Sequence, residues 1–431
     1  MLFYSTNKQS PKVDFKQATI NGQAPDKGLY FPEQIPLLSN DLIKNIKLLS
    51  KEEISLEVIK PYVGNTIPAN ELKIIIEETI SFDFPLVPVE KDIFSLELFH
   101  GPTLAFKDVG ARFMSRCLSY FVKDNNAAIT VLVATSGDTG SAVANGFFNV
   151  EGINVVILYP SKKVSELQEL QLTTYGNNIA AIEVDGSFDD CQQLVKQAFA
   201  DEHLRKEIFL TSANSINVAR WLPQQFYYFF AYQQWQFKNQ LPFLSIPSGN
   251  FGNICAGLLA NASGLPVEHF IASCNANDVI PNFLNDGTYK PKPSVQTISN
   301  AMDVGNPSNF VRIMELFKND LQEVKNKLTA YSISDNETKH AIKEVFLNHQ
   351  YLLDPHGAVA YCGLKNFFKN NPGKKGIIFE TAHPIKFQNV VEPIINKKIE
   401  MPDTLIGLAN KKRSSIKMKN DYKELKAYLK N

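Results

Sequence analysis

Short runs of β-branched and aromatic residues recur along this chain, each followed by a stretch with helical spacing. The runs cover residues 94–99, 128–134, 155–159, 181–184, 243–246, 270–274 and 376–379. Bounded by glycine, proline, serine and asparagine, they predict buried strands rather than helices. Their alternation with helical stretches predicts parallel sheets covered by helices. After the first run, Val109, Phe113, Met114, Cys117, Leu118 and Phe121 share one face of a predicted helix. Residues 1–90 read differently: a proline-punctuated helical pattern dotted with Lys and Glu, including a helix over 71–80 after Pro68-Ala69-Asn70. The expected organisation is an amino-terminal domain over 1–90 and a large α/β domain over 91–115 and 211–390. A smaller α/β domain over 116–210 would close on the large one, and 391–431 would form a carboxy-terminal extension. The aromatic stretch 221–237 predicts a core helix. The stretch 421–430 predicts a solvated helix with Tyr422, Leu425 and Leu429 turned inward.

The loops between runs and helices carry the candidate chemistry. Lys107 lies where the run 94–99 gives way to a helix, with Asp108 suited to the positive end of that helix. Alone, Lys107 reads as a solvated lysine; desolvated, its amine could attack a carbonyl and form a Schiff base. Ser248-Gly249-Asn250-Phe251-Gly252-Asn253 follows the run 243–246 and opens another helix. Glycines there let backbone N–H groups approach an anion at the helix start. The loop is neither a P-loop nor a dinucleotide turn, and taken alone such clusters are usually plain turns. Beside a Schiff-base lysine it completes a pyridoxal phosphate site, one group for the aldehyde and one for the phosphate. Thr135-Ser136-Gly137-Asp138-Thr139-Gly140 repeats the strand–loop–helix pattern, which suggests a second anionic group. Thr381 follows the run 376–379, at a strand's carboxyl end where ligands bind.

Six segments then resemble threonine synthases, which belong to the tryptophan-synthase-β-like class of pyridoxal phosphate enzymes. They are HGPTLAFKDVGARF, ATSGDTGSAVA, SANSINVAR, SIPSGNFGNICAGLLA, SNAMDVGNPSN and TAHPIKF, in that order along the chain. The likeness implies a fold-type II enzyme with large and small parallel-sheet α/β domains plus an amino-terminal helical domain. It implies that Lys107 links to pyridoxal 5'-phosphate and later moves protons. Ser248, Gly249, Asn250, Phe251, Gly252 and Asn253 would hold the cofactor phosphate, and Thr381 would face the pyridine nitrogen. Asp138, with Ser136, Gly137 and Thr139, matches the loop for the substrate carboxylate and the cofactor's 3′-oxygen. Lys163, Ser165, Asn214, Ser215, Asn217 and Arg220 fall in stretches resembling the substrate-phosphate contacts, with Lys162 an alternative to Lys163. The implied reaction removes phosphate from O-phospho-L-homoserine and adds water at Cβ to give L-threonine. The alternatives are another pyridoxal phosphate lyase or dehydratase acting on serine or threonine, and a non-catalytic ligand-binding homologue.

Composition narrows little further. The 431 residues suit two or three domains. Lys+Arg and Asp+Glu number 44 each, so no global field draws in nucleic acid or a membrane surface. Anion binding must come from local placement of basic groups. Five scattered cysteines make neither a CxxC pair nor a disulfide framework, and suit a reduced cytoplasmic protein. No apolar run reaches membrane-spanning length. Asp354, His356, Glu380 and His383 lack metal-ligand spacing, so no metal is expected. The basic segment around Lys411-Lys412-Arg413 reads as a solvated surface. The expected state is a monomer, with a dimer as the alternative, and no nucleotide effector.

Overall fold

The structure is a computed structural model, and it describes residues 1–123, 128–408 and 411–430. Its strands are β1 Phe3–Ser5, β2 Tyr30–Pro32, β3 Leu86–Glu90, β4 Ile93–Glu97, β5 Ile129–Ala134, β6 Ile153–Pro160, β7 Ile179–Asp185, β8 Phe209–Thr211, β9 Phe243–Pro247, β10 His269–Cys274, β11 Leu328–Ser332, β12 Gly376–Glu380 and β13 Ile416–Lys419. The larger sheet runs β11-β10-β9-β12-β4-β3 and the smaller runs β13-β7-β6-β5-β8. Every pairing in them is parallel except β3 with β4. β5, β9 and β12 are buried at every position, which is why they read as continuous apolar runs.

Several strands escaped the sequence reading for a common reason: they are short edge strands. β3 carries Pro88, tolerated because an edge position leaves one side of the backbone unpaired. β13 reads Ile-Lys-Met-Lys, with only Met418 buried. Through β13 and the helix Tyr422–Lys430, the carboxy-terminal segment joins the smaller sheet. Met418 and Leu425 enter that sheet's core, with Tyr422 and Leu429 packed alongside.

The aromatic stretch is not one helix over 221–237. It breaks into Val218–Trp221, a 3-10 turn Leu222–Gln224 and the helix Gln225–Gln234. Pro223, which has no N–H to give, sits in the turn. Trp221, Phe226, Tyr227, Tyr228, Phe229 and Phe230 are each 1% exposed or less, so the stretch is core. Amino-terminal helices Lys51–Val63 and Ala69–Thr79 pack against this region and against the helix Lys107–Val122. Residues 1–90 are not wholly helical: β1 and β2 pair antiparallel.

Candidate active site

The loops leaving the carboxyl ends of β4, β5, β9 and β12 line a single cleft of about 1370 Å³. Lys107, Ser136, Asp138, Thr139, Asn214, Ser215, Arg220, Gly249, Asn250, Phe251, Gly252, Asn253 and Thr381 all face it. Residues scattered over some 270 positions thus meet where open α/β sheets bind ligands.

Lys107 is the first residue of its helix. The turn before it is locked by Asp108, whose carboxylate accepts from the Thr103 backbone N–H (2.9 Å) and hydroxyl (2.5 Å). Leu104 holds a left-handed φ of 57°, costly for a branched side chain and often found at ligand sites. Lys107 is half-buried, its free surface turned to the cleft. Desolvation pulls its amine from 10.5 down to about 8; Arg220 and Lys386 push the same way, while Asp138 opposes them. An amine in that range is partly neutral near physiological pH and able to act as a nucleophile or base.

The loop after β9 makes the anion cradle. A Cβ on Gly249 would lie 2.5 Å from Met302 Cα, so only glycine lets this backbone pass the neighbouring loop. Phe251 sits in the left-handed region at φ 62° and caps the helix Gly252–Ala262. Asn250 fixes the loop, donating to Ser215 Oγ (2.8 Å) and accepting from Ser308 N–H (2.6 Å).

Two buried arginines behave differently. Arg312 spends its guanidinium on Tyr30, Ser215, Ile216 and Asn309 oxygens and stacks on Trp221 at 4.3 Å. It is a structural clamp on the 214–217 segment. Arg220, 4% exposed, has Nε and Nη1 without any hydrogen-bond partner. Burial pulls it down to about 10, still protonated at neutral pH. An unpaired buried cation at a cleft wall is costly unless an anion completes it.

Five of the expected site residues do not reach the cleft. Lys163 is exposed, and so is Lys162; neither lines the cavity. Ser165 spends its hydroxyl capping the helix Glu166–Thr173 in a box with Gln168. Asn217 is fully buried, donating to Thr19 and Ser212 carbonyls and capping the next helix. Ser248 is buried and donates to the Ile246 carbonyl (2.9 Å). Gly137, at φ 140°, supports the wall: a Cβ there would strike Gln168 at 2.4 Å. Ser165, Asn217 and Ser248 bond to nearby backbone, an outcome that motif likeness does not reveal.

The structure also brings to the site residues that the sequence did not place there. Lys386 is wholly buried, its ammonium 2.9 Å from Asp138 Oδ1 and 2.8 Å from the Thr103 carbonyl. His356 lines the cleft; its Nε2 accepts from Ala301 N–H (3.2 Å), so Nδ1 carries the proton toward Asp354, 2.5 Å away. Asp303 faces the same space, and burial raises its carboxyl to about 6. Lys386 stands inside the quoted TAHPIKF segment, but nothing in its spacing announces burial. Among the described residues no cluster of His, Cys, Asp or Glu could hold a metal ion, and no helix is long and apolar enough to cross a membrane.

Comparison with known proteins agrees with this architecture. A family model described as pyridoxal-phosphate dependent enzyme matches residues 85–379. Models for the threonine synthase N terminus and C-terminal region match residues 2–80 and 357–429. The chain is 44% identical over 430 residues to threonine synthase from Haemophilus influenzae, covering 100% of this chain and 99% of that one. The crystal structure of threonine synthase from Escherichia coli superposes with a TM-score of 0.93 at 41% identity, covering 100% and 99% of the two chains. A pyridoxal-phosphate-bound threonine synthase structure from Brucella melitensis does so at 0.93 and 33% identity, with the same coverage.

Proposed function

Because this chain belongs to the threonine synthase family of pyridoxal-phosphate-dependent enzymes, we propose that it converts O-phospho-L-homoserine and water into L-threonine and phosphate. The observation that carries the reading is one cleft joining a lysine whose amine is depressed to about 8, a glycine-built cradle and a buried guanidinium with unspent donors.

The residues present fit the cofactor. Gly249 to Asn253 and the start of the helix Gly252–Ala262 would hold its phosphate, Lys107 would bind its aldehyde carbon, and Thr381 would face the ring nitrogen. When bound, the conjugated ring supplies stabilisation of negative charge at the substrate α-carbon. Everything else falls to the chain's own side chains. Lys107 takes the α-proton and serves again as acid or base at Cβ, a role suited to an amine near 8. Ser136 and Thr139, at the start of the helix Asp138–Phe147, orient the substrate carboxylate. Arg220, with Asn214 and Ser215 beside it, receives the departing phosphate through the donors it leaves unpaired. The cleft is larger than a typical small-ligand pocket. Closing the smaller sheet's unit over the larger one would exclude water from the reactive carbon.

The same reading takes the protein to be a cytoplasmic monomer; its five cysteines form no disulfide, as a reducing compartment requires. Incubation with O-phospho-L-homoserine, following threonine and phosphate together, tests the proposal. Equimolar release of both supports it. Turnover of L-serine or L-threonine without phosphate release from phosphohomoserine would establish a dehydratase instead.

A further inference from the structure

We infer that Lys386 is a positioning residue for this reaction: it pins Asp138 against the cleft as a carboxylate and, by offsetting that charge, keeps Lys107 able to shed its proton. The inference rests on the reading of Lys107 as the reactive amine.

The geometry is a buried chain of charge across two parts of the fold. Lys386 sits in the turn Pro384–Phe387, just after Thr381, on the larger sheet's side. Asp138 opens the helix that follows β5, on the smaller sheet's side. Their bond, 2.9 Å long with side chains 0% and 5% exposed, ties the two sides where the cleft closes. Gln168 Nε2 donates to the same Asp138 oxygen at 3.0 Å. The second contact of Lys386 is the Thr103 carbonyl, which also accepts from Gln171 Nε2 at 3.2 Å. Thr103 is the residue Asp108 grips in the turn leading to Lys107. One ammonium thus holds both the carboxylate beside Lys107 and the loop that aims Lys107.

The charged and titratable groups around Lys107 come from five elements. Asp138 favours its ammonium form, while Arg220 and Lys386 disfavour it. Asp108 is the next residue on the same helix, and Tyr227 donates to the Phe106 carbonyl and couples to Arg220. Asp138 itself would be raised by burial, but Lys386 first and Lys107 second more than offset that, so it stays ionised. A buried carboxylate left without Lys386 would draw a proton onto Lys107 or take one itself. Breaking such a pair from one side is far more disruptive than its net contribution suggests.

This predicts opposite responses at one amine. In the full-length protein stripped of cofactor, the pH dependence of Lys107 acetylation, resolved by peptide mass mapping, reports its titration. Lys386→Met should raise the Lys107 midpoint by about one pH unit, slowing acetylation at pH 7 roughly tenfold. Asp138→Asn should lower the midpoint and speed acetylation several-fold. Lys386→Arg should restore the parent titration, and the double variant should return toward it. A merely structural Lys386 would leave the Lys107 midpoint unmoved in folded Lys386→Met, and that result overturns the inference. Equal movement of both single variants in one direction overturns it as well. If Lys386→Met fails to fold, the Asp138→Asn arm still decides, since an unchanged or raised midpoint there is sufficient to reject the coupling. Failure of the underlying reading is separable: it would place the cofactor on another lysine while leaving these titrations as predicted.

Discussion

Replacing Lys107 by methionine should make the cofactor-free protein more stable at neutral pH, although it destroys the proposed activity. The drop of the amine from 10.5 to about 8 corresponds to about 3 kcal/mol of disfavoured charge in the folded state. Because part of the side chain is solvated by the cleft, a gain of about 1–3 kcal/mol is expected. The sign follows from protonation. Below pH 8 the amine is charged in both states, so the folded parent carries the full penalty. Between about 8 and 10.5 the folded amine is neutral while the unfolded one is still charged, so the parent gains stability and the difference narrows. Above about 10.5 both are neutral, and only the packing of methionine against lysine remains. Urea unfolding of both proteins at pH 7, 9 and 10.5 measures this directly. An advantage that is large at pH 7 and fades with rising pH is expected. A difference that stays constant over that range would show that Lys107 is solvated and that the depressed amine does not exist.

Arg220→Met should cut kcat/KM for phosphohomoserine by about 10²–10³, the loss typical of a charge-stabilising donor, while bound cofactor content stays near the parent's. Gly249→Ala pushes a Cβ to 2.5 Å from Met302 Cα, so the cradle must shift; cofactor affinity, read by fluorescence titration, should fall by about 5–150-fold at an overpacking cost of about 1–3 kcal/mol. Asp108→Asn keeps the shape but weakens two bonds to Thr103, and thermal unfolding should show about 1–3 kcal/mol lost.

Much of this was legible before the fold was known, because strands buried on both faces write themselves as unbroken apolar runs. β5, β9 and β12 are such strands, and the loops that leave them supply Asp138, Gly249 and Thr381. What stayed hidden was set by tertiary partners. Edge strands such as β13 have one buried residue and no periodic signal. Lys163 and Lys386 are both lysines within family-like segments, yet one is solvated and the other wholly buried against Asp138. Likewise, Arg220 and Arg312 are both buried, yet only Arg312 meets backbone oxygens, the Asn309 amide oxygen and the Trp221 ring. Asn217 lies in a stretch resembling the family's substrate-phosphate contacts, yet its amide is consumed by the Thr19 and Ser212 carbonyls.

Lys107, half-buried at the cleft, rather than the wholly buried Lys386, is expected to carry the cofactor. Borohydride reduction of the native holoenzyme, followed by peptide mapping, decides between them. A pyridoxyl group is expected on the peptide containing Lys107 and on no other. A modified Lys386 peptide, or a reduced protein with Lys107 still free, would contradict it.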